Sequence, residues 1–354
     1  MQIPFFDLKR QIQNLKPELD EAINRVLGNG NFILGEEVSK FEQEFASYLS
    51  VAHCITCANG TDALELVLEA LGIGRGDEVI LPAFGWVSGA HAVRRARAKP
   101  VFVDVEISTG NIDVRLVQDA ITDQTKAVMP IHLYGNPCDI TTLRNICDKH
   151  QLYLIEDCAQ AHGAEVEGQK VGTFGDAAIF SFYPTKNLGC FGDGGAVVTN
   201  DKNLADQIRM LRDYGRDGSG KFLFDGRNSR LDEIQAAVLR VKLGYLDQWN
   251  ARRKEIASTY ESALKGEGIV KSDGSVHHQC VISVSDRDAL RSHLEKSGIR
   301  TAIHYEFIDT AAHHFTQSNT LCQSVLSLPC FPELTEKEIV YICDELVLLQ
   351  AQNL

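Results

Sequence analysis

SFYPTKNLGCFGDGG, residues 181–195, joins two short apolar runs at 178–182 and 195–199 and sets one lysine, Lys186, among glycines, a proline and aromatic rings. A lysine meant for solvent ordinarily has polar neighbours. Here the flanking apolar residues would desolvate the amine and pull its pKa below the free value of about 10.4, which is what imine formation demands. Ser181, at the mouth of the loop, adds a hydroxyl that can donate to a phosphate.

On the N-terminal side of this loop, short apolar runs alternate with stretches of helical period. The runs fall at 54–57, 79–81, 101–103, 127–131 and 152–156, and the helical stretches at 62–71, 87–95, 114–121 and 140–149. Such alternation predicts right-handed βαβ units and an α/β fold: a mostly parallel central sheet with helices on both faces and ligands at the carboxyl ends of its strands. Two amphipathic helices at 15–27 and 38–49 precede it. Beyond the loop, a helix at 204–211 and one long helical stretch at 231–264 carry the chain out of the sheet. A strand at 279–285 and helices at 287–297 and 336–349 then predict a small α+β unit. The boundary is placed near residue 245, dividing a large domain, 1–245, from a small one, 246–354.

A chain of 354 residues is long enough for two such units, and 44% hydrophobic with 23% charged residues is an ordinary globular composition. A net charge of -13 argues against nucleic acid as the main partner, although an anionic nucleotide-sugar needs only two or three local donors. No signal-like N-terminus and no apolar run of about 18 residues is found, so no membrane partner and a cytoplasmic setting are expected. The ten cysteines are scattered, as for buried thiols in a reducing compartment, and Cys54 with Cys57 reads as a pair in a core strand. Adjacent histidines on a strand point to opposite faces, so neither His277 with His278 nor His313 with His314 makes a natural chelate; no metal is expected.

Two further motifs carry chemistry. ANGTDAL, residues 58–64, ends a strand and opens a helix, where free N–H groups, Gly60 for close approach and the Thr61 hydroxyl make a phosphate cradle; an ordinary helix cap by Thr61 is the alternative. LIEDCAQAHGA, residues 154–164, ends an apolar strand in two carboxylates. Asp157 there can bond a protonated pyridine nitrogen, or Glu156 and Asp157 can merely cap the loop.

Taken together, GTDAL, EDCAQAHGA and SFYPTKNLG resemble the fold-type I pyridoxal-phosphate (PLP) enzymes of the DegT/DnrJ/EryC1/StrS sugar aminotransferase family, from FFDLKRQ at the start to LSLPCFPELTEKE near the end. The resemblance implies pyridoxal 5'-phosphate as cofactor, held by Lys186 as a Schiff base. Lys186 would then move the proton between substrate and cofactor carbons. It further implies Asp157 at the pyridinium nitrogen, Gln160 near the ring hydroxyl and Trp86 over the ring face, with a core tryptophan as the alternative. Gly60, Thr61 and Ser181 would hold the phosphate. Asn228, in GRNSRLDEIQAA, would reach the phosphate of a neighbouring subunit, so that a homodimer shares its active sites. Tyr183, Arg230, His304 and Tyr305 would face the substrate, although Arg230 fits a salt bridge at the helix start equally well. HYEFID departs from the family's IHYPxPxH run.

By this resemblance the reaction is a ping-pong transamination from L-glutamate or glutamine to a nucleotide-linked keto-sugar. The wording NSRLDEIQAAVLRVKLGYLDQWNARR is most similar to members acting at carbon 3 of dTDP-3-keto-6-deoxyhexoses. Action at carbon 4 or 2 of UDP- or GDP-sugars is the alternative. A dehydratase of the family would carry His where Lys186 stands. An amino-acid lyase would carry a C-terminal carboxylate-clamping Arg, which no motif reveals, and a silent regulator would not need Lys186, Asp157 and Gln160 together.

Overall fold

The computed structural model describes residues 1–265, 268–306 and 309–352. Its centre is a seven-stranded sheet: β1 (His53–Cys57), β2 (Glu78–Pro82), β3 (Lys99–Val103), β4 (Thr125–Val128), β5 (Tyr153–Asp157), β6 (Ala177–Ser181) and β7 (Gly195–Thr199). The spatial order is β1-β7-β6-β5-β4-β2-β3. β7 alone runs against its neighbours β1 and β6; the other pairings are parallel. The carboxyl ends of the six parallel strands therefore share one edge with the start of β7. The motifs at 58–64, 157–164 and 181–195 all leave the sheet there.

Both faces are covered, which is why the strands read as continuous apolar runs. Along β6 and β7, Ile179 and Val197 enter one core with Leu64, Val67 and Ile208, whereas Phe180 and Val198 enter the opposite core with Phe41, Phe45 and Leu239. Alternate residues of a strand face opposite ways, so one apolar run serves two layers.

The C-terminal part builds a three-stranded antiparallel sheet from Ile269–Val270, Cys280–Ser283 and Val325–Leu328. Its core gathers Ile256, Tyr260, Ile282, Leu294, Phe331 and Ile342 and takes in Ile3 from the chain start. The helix expected over 231–264 is in fact two, Glu233–Leu243 and Leu246–Ala263, broken at Gly244 and Tyr245. Apolar periodicity runs through the break because Leu246, just past it, packs on the main sheet's core with Leu239 of the first helix, and the second helix enters the C-terminal core from Ile256 onward. We propose this break as the division between the two units. The first helix, Leu8–Asn29, begins well before its apolar stripe because the Asp7 carboxylate accepts from the N–H of Lys9 at 3.0 Å.

Glu233 shows what distant residues contribute. The helix Glu36–Leu49 has Gly35 at its N-cap and no side-chain cap of its own. Instead the fully buried Glu233 carboxylate accepts from the N–H groups of Gly35 at 2.8 Å, Glu37 at 2.9 Å and Val38 at 2.9 Å. Glu233→Ala strips these donors of their acceptor and is expected to lower unfolding stability by about 3 kcal/mol, read as a lower denaturant midpoint.

Candidate active site

The loop that carries Lys186 is held at several points. Phe182 N–H donates to Gly194 O and Cys190 N–H to Phe182 O, each at 2.8 Å, and Lys186 N–H closes a turn onto Tyr183 O at 2.8 Å. From outside, the buried Lys242 amine donates to Gly189 O at 2.7 Å, and Phe191 N–H donates to Gln235 Oε1 at 2.7 Å. Gly189 has no room for a side chain: a Cβ there would lie 2.5 Å from Pro184 O.

Lys186 is partly buried, and loss of hydration lowers its ammonium pKa to about 8, with Asp157 opposing the shift. Asp157 closes β5 and is buried; burial raises its carboxyl pKa, against the N–H of Ala159 at 3.0 Å and the charge of Lys186. Desolvation thus pushes the acid and the amine toward their neutral forms, while each favours the charge of the other.

The two adjacent carboxylates separate sharply. Glu156 accepts from the N–H groups of Gly172 at 2.8 Å, Phe174 at 2.9 Å and Gly175 at 2.7 Å, and from His132 Nε2 at 3.1 Å. It braces a turn. His132, Glu156 and Cys158 bring donor atoms within metal-binding range, the one such group among the described residues. His132 Nδ1 accepts from Cys138 N–H at 3.0 Å, so Nε2 carries the hydrogen given to Glu156, and the cluster is a closed hydrogen-bonded brace.

Asn59 caps the helix Gly60–Ala70 through Asp62 N–H at 2.8 Å, rather than Thr61, and among the described residues the N–H groups of Gly60 and Thr61 are left without a partner. Ser181 stands beside them, since a Cβ on Gly60 would meet Ser181 Cβ at 2.8 Å. A buried carboxyl lacking a bonded cation, a desolvated amine and a glycine cradle beside a serine fit the pyridinium, aldehyde and phosphate of the expected cofactor.

Gln160 is buried and fully oriented: Oε1 accepts from Tyr134 N–H and Nε2 donates to the Tyr305 hydroxyl, both at 2.7 Å. Trp86 is exposed and tilted against the Tyr305 ring, centroids 5.7 Å apart. His304 Nδ1 lies 2.8 Å from Ser327 Oγ, and its carbonyl accepts from the Tyr134 hydroxyl. Phe307 and Ile308 of HYEFID fall outside the described residues. Tyr183 is exposed at the loop mouth.

Asn228 is exposed, bridged to Asp213, and has no polar contact with the Lys186 cluster among the described residues. Arg230 donates to Asp213 at 3.0 Å with its guanidinium over the Tyr214 ring, which is the salt-bridge alternative. Between them, Ser229 donates to Asp62 at 2.6 Å, so this segment lies against the phosphate-cradle helix. Asn59 and Ser229 escaped the sequence reading; Asn before Gly-Thr-Asp is a recognisable cap signal, but nothing local announces Ser229.

No described helix is long and apolar enough to cross a membrane. A profile of the DegT/DnrJ/EryC1/StrS aminotransferase family matches residues 13–347. The dTDP-3-amino-3,4,6-trideoxy-alpha-D-glucose transaminase of Streptomyces venezuelae is 43% identical over 97% of this chain and 94% of its own length. The UDP-N-acetyl-3-dehydro-alpha-D-glucosamine 3-aminotransferase of Acidithiobacillus ferrooxidans is 42% identical over 96% of each. Among solved structures, S. venezuelae DesV in complex with a ketimine intermediate matches with a TM-score of 0.95 at 42% identity, covering 98% of both chains.

Proposed function

The chain belongs to the DegT/DnrJ/EryC1/StrS aminotransferase family, and from that membership we propose that it transfers an amino group from L-glutamate to dTDP-3-keto-6-deoxyhexose. It is a PLP-dependent sugar aminotransferase; the particular nucleotide, sugar and donor are the proposed part. One observation carries the reading: Lys186 and Asp157 emerge at the same sheet edge, each desolvated and each sensing the other's charge.

When bound, pyridoxal phosphate supplies an electron sink that accepts the pair left behind when a C–H bond next to nitrogen is broken. The protein's part is positioning and proton transfer. Asp157 would face the ring nitrogen and keep it protonated. The N–H groups of Gly60 and Thr61 and the Ser181 hydroxyl would hold the phosphate, and the Gln160 amide, locked by Tyr134, would meet the ring with Tyr305. Lys186 Nζ, its ammonium pKa lowered to about 8 by desolvation, would carry the proton at the reacting carbon in both half-reactions.

The relatives named for dTDP- and UDP-sugars support a nucleotide-sugar acceptor in general, and the dTDP assignment follows the S. venezuelae resemblance. A turnover screen of dTDP-, UDP- and GDP-keto-sugars with glutamate and glutamine decides it; failure with the whole panel sinks the proposal. We further propose a cytoplasmic homodimer. Phe222, Leu223 and Phe224 are exposed close in sequence to exposed Asn228, which suits a surface covered by a second copy, and thiols kept reduced suit the ten cysteines.

With the Lys186 amine titrating at about 8, its nucleophilic free base grows with pH up to that point. The rate at which apoprotein captures pyridoxal phosphate, followed by absorbance, is therefore expected to rise about tenfold per unit below pH 8 and level off above it. A midpoint near 10 would mean the amine is hydrated.

A further inference from the structure

Beside the Lys186 loop lies a cavity of about 180 Å³, walled by Phe5, Phe6, Thr185, His278, Gln279 and His304. The histidine pair 277–278, expected on a strand, sits instead in the turn before Cys280–Ser283, with both rings mostly buried. A buried polar chain fixes the hydrogen of His278. Asn250 Nδ2 donates to His162 O at 2.8 Å, which turns Asn250 Oδ1 toward Asn187 Nδ2, also at 2.8 Å. Asn187 Nδ2 donates again to Val276 O at 3.1 Å, so Asn187 Oδ1 is the acceptor left for His278 Nδ1 at 3.1 Å. His278 must therefore carry its hydrogen on Nδ1, leaving Nε2 a bare acceptor. Burial keeps the ring neutral, reinforced by the nearby charges of Lys186 and Arg253.

No lysine, arginine or carboxylate is among the wall residues. Such a wall suits neither the carboxylates of glutamate nor a diphosphate. It suits a neutral group rich in O–H donors with apolar C–H faces to lay against Phe5 and Phe6, which is a hexose ring.

Resting on the sugar-aminotransferase reading, we propose that this cavity receives the hexose of the acceptor, with His278 Nε2 accepting from a ring hydroxyl. His278 then helps select the sugar, because a hydroxyl missing or inverted there leaves a buried acceptor unpaired.

The test uses holoenzyme and calorimetry with two probes: dTDP-6-deoxyglucose, which has a hydroxyl where the substrate has its ketone, and dTDP alone. His278→Asn keeps a donor toward Asn187 and removes the Nε2 acceptor. It is expected to weaken the sugar nucleotide by about 10- to 100-fold and leave dTDP affinity within about twofold. His278→Gln, which can also donate toward Asn187, should repeat the pattern and serves if the first variant does not fold. Equal losses for both probes, or unchanged sugar binding in a folded variant, overturn the inference. Wild-type enzyme that binds no member of a dTDP-, UDP- and GDP-hexose panel defeats the sugar-aminotransferase reading instead.

Discussion

Lys186→Ala is expected to lose transamination by at least about 10⁴-fold, in both half-reactions, because in the proposed mechanism one amine serves as the cofactor's anchor and as the proton carrier. No neighbour can replace it. Lys242 is also buried with a lowered pKa, but its amine is held by Gly189 O and lies 4.5 Å from the Phe191 ring centroid, outside the loop. The fold should survive. A lysine whose pKa falls on folding binds its proton less tightly in the folded state, so below the folded value of about 8 its charge opposes folding. Cofactor-free Lys186→Ala should therefore melt no lower than wild type at pH 7. Near-normal turnover with glutamate and a keto-sugar nucleotide would remove Lys186 from the mechanism.

Asp157→Asn is expected to act in opposite directions on the two forms of the protein. The Asp157 carboxyl has its pKa raised by burial, so the folded chain holds that proton more tightly than the unfolded chain does. Its contribution to stability is greatest below the unfolded value and falls as pH rises toward the folded one. A neutral amide removes that loss, and the cofactor-free variant should melt higher than wild type at neutral pH. In the loaded enzyme the same change leaves a pyridinium without its carboxylate. Unpairing a buried charge costs about 3–5 kcal/mol, so cofactor retention and turnover should each fall roughly 10²- to 10⁴-fold. Melting curves of both forms and cofactor release by dialysis check the two halves; a destabilised apoprotein that keeps its cofactor tightly would assign Asp157 a purely structural place.

The α/β architecture and the core of the site were legible in the chain itself. Alternating apolar runs and helical stretches specify the sheet, and the lysine in its apolar loop, the carboxylate ending β5 and the glycine opening the helix Gly60–Ala70 are local signals. Periodicity could not show the break at Gly244, because Leu239 before it and Leu246 after it are both apolar residues of one core.

Residue types at short spacing determine which strands and helices form and which side chains have the chemistry to act, since propensity, capping and burial pattern work over a few residues. Tertiary structure alone decided that Glu156 braces a turn while the Asp157 side chain accepts from Ala159 N–H, and that Glu233 caps a helix 198 residues away. It also decided that His278 offers an acceptor beside the lysine loop. Each of these depends on a hydrogen-bond partner distant in the chain, and a buried polar group takes its role from the partner that satisfies it.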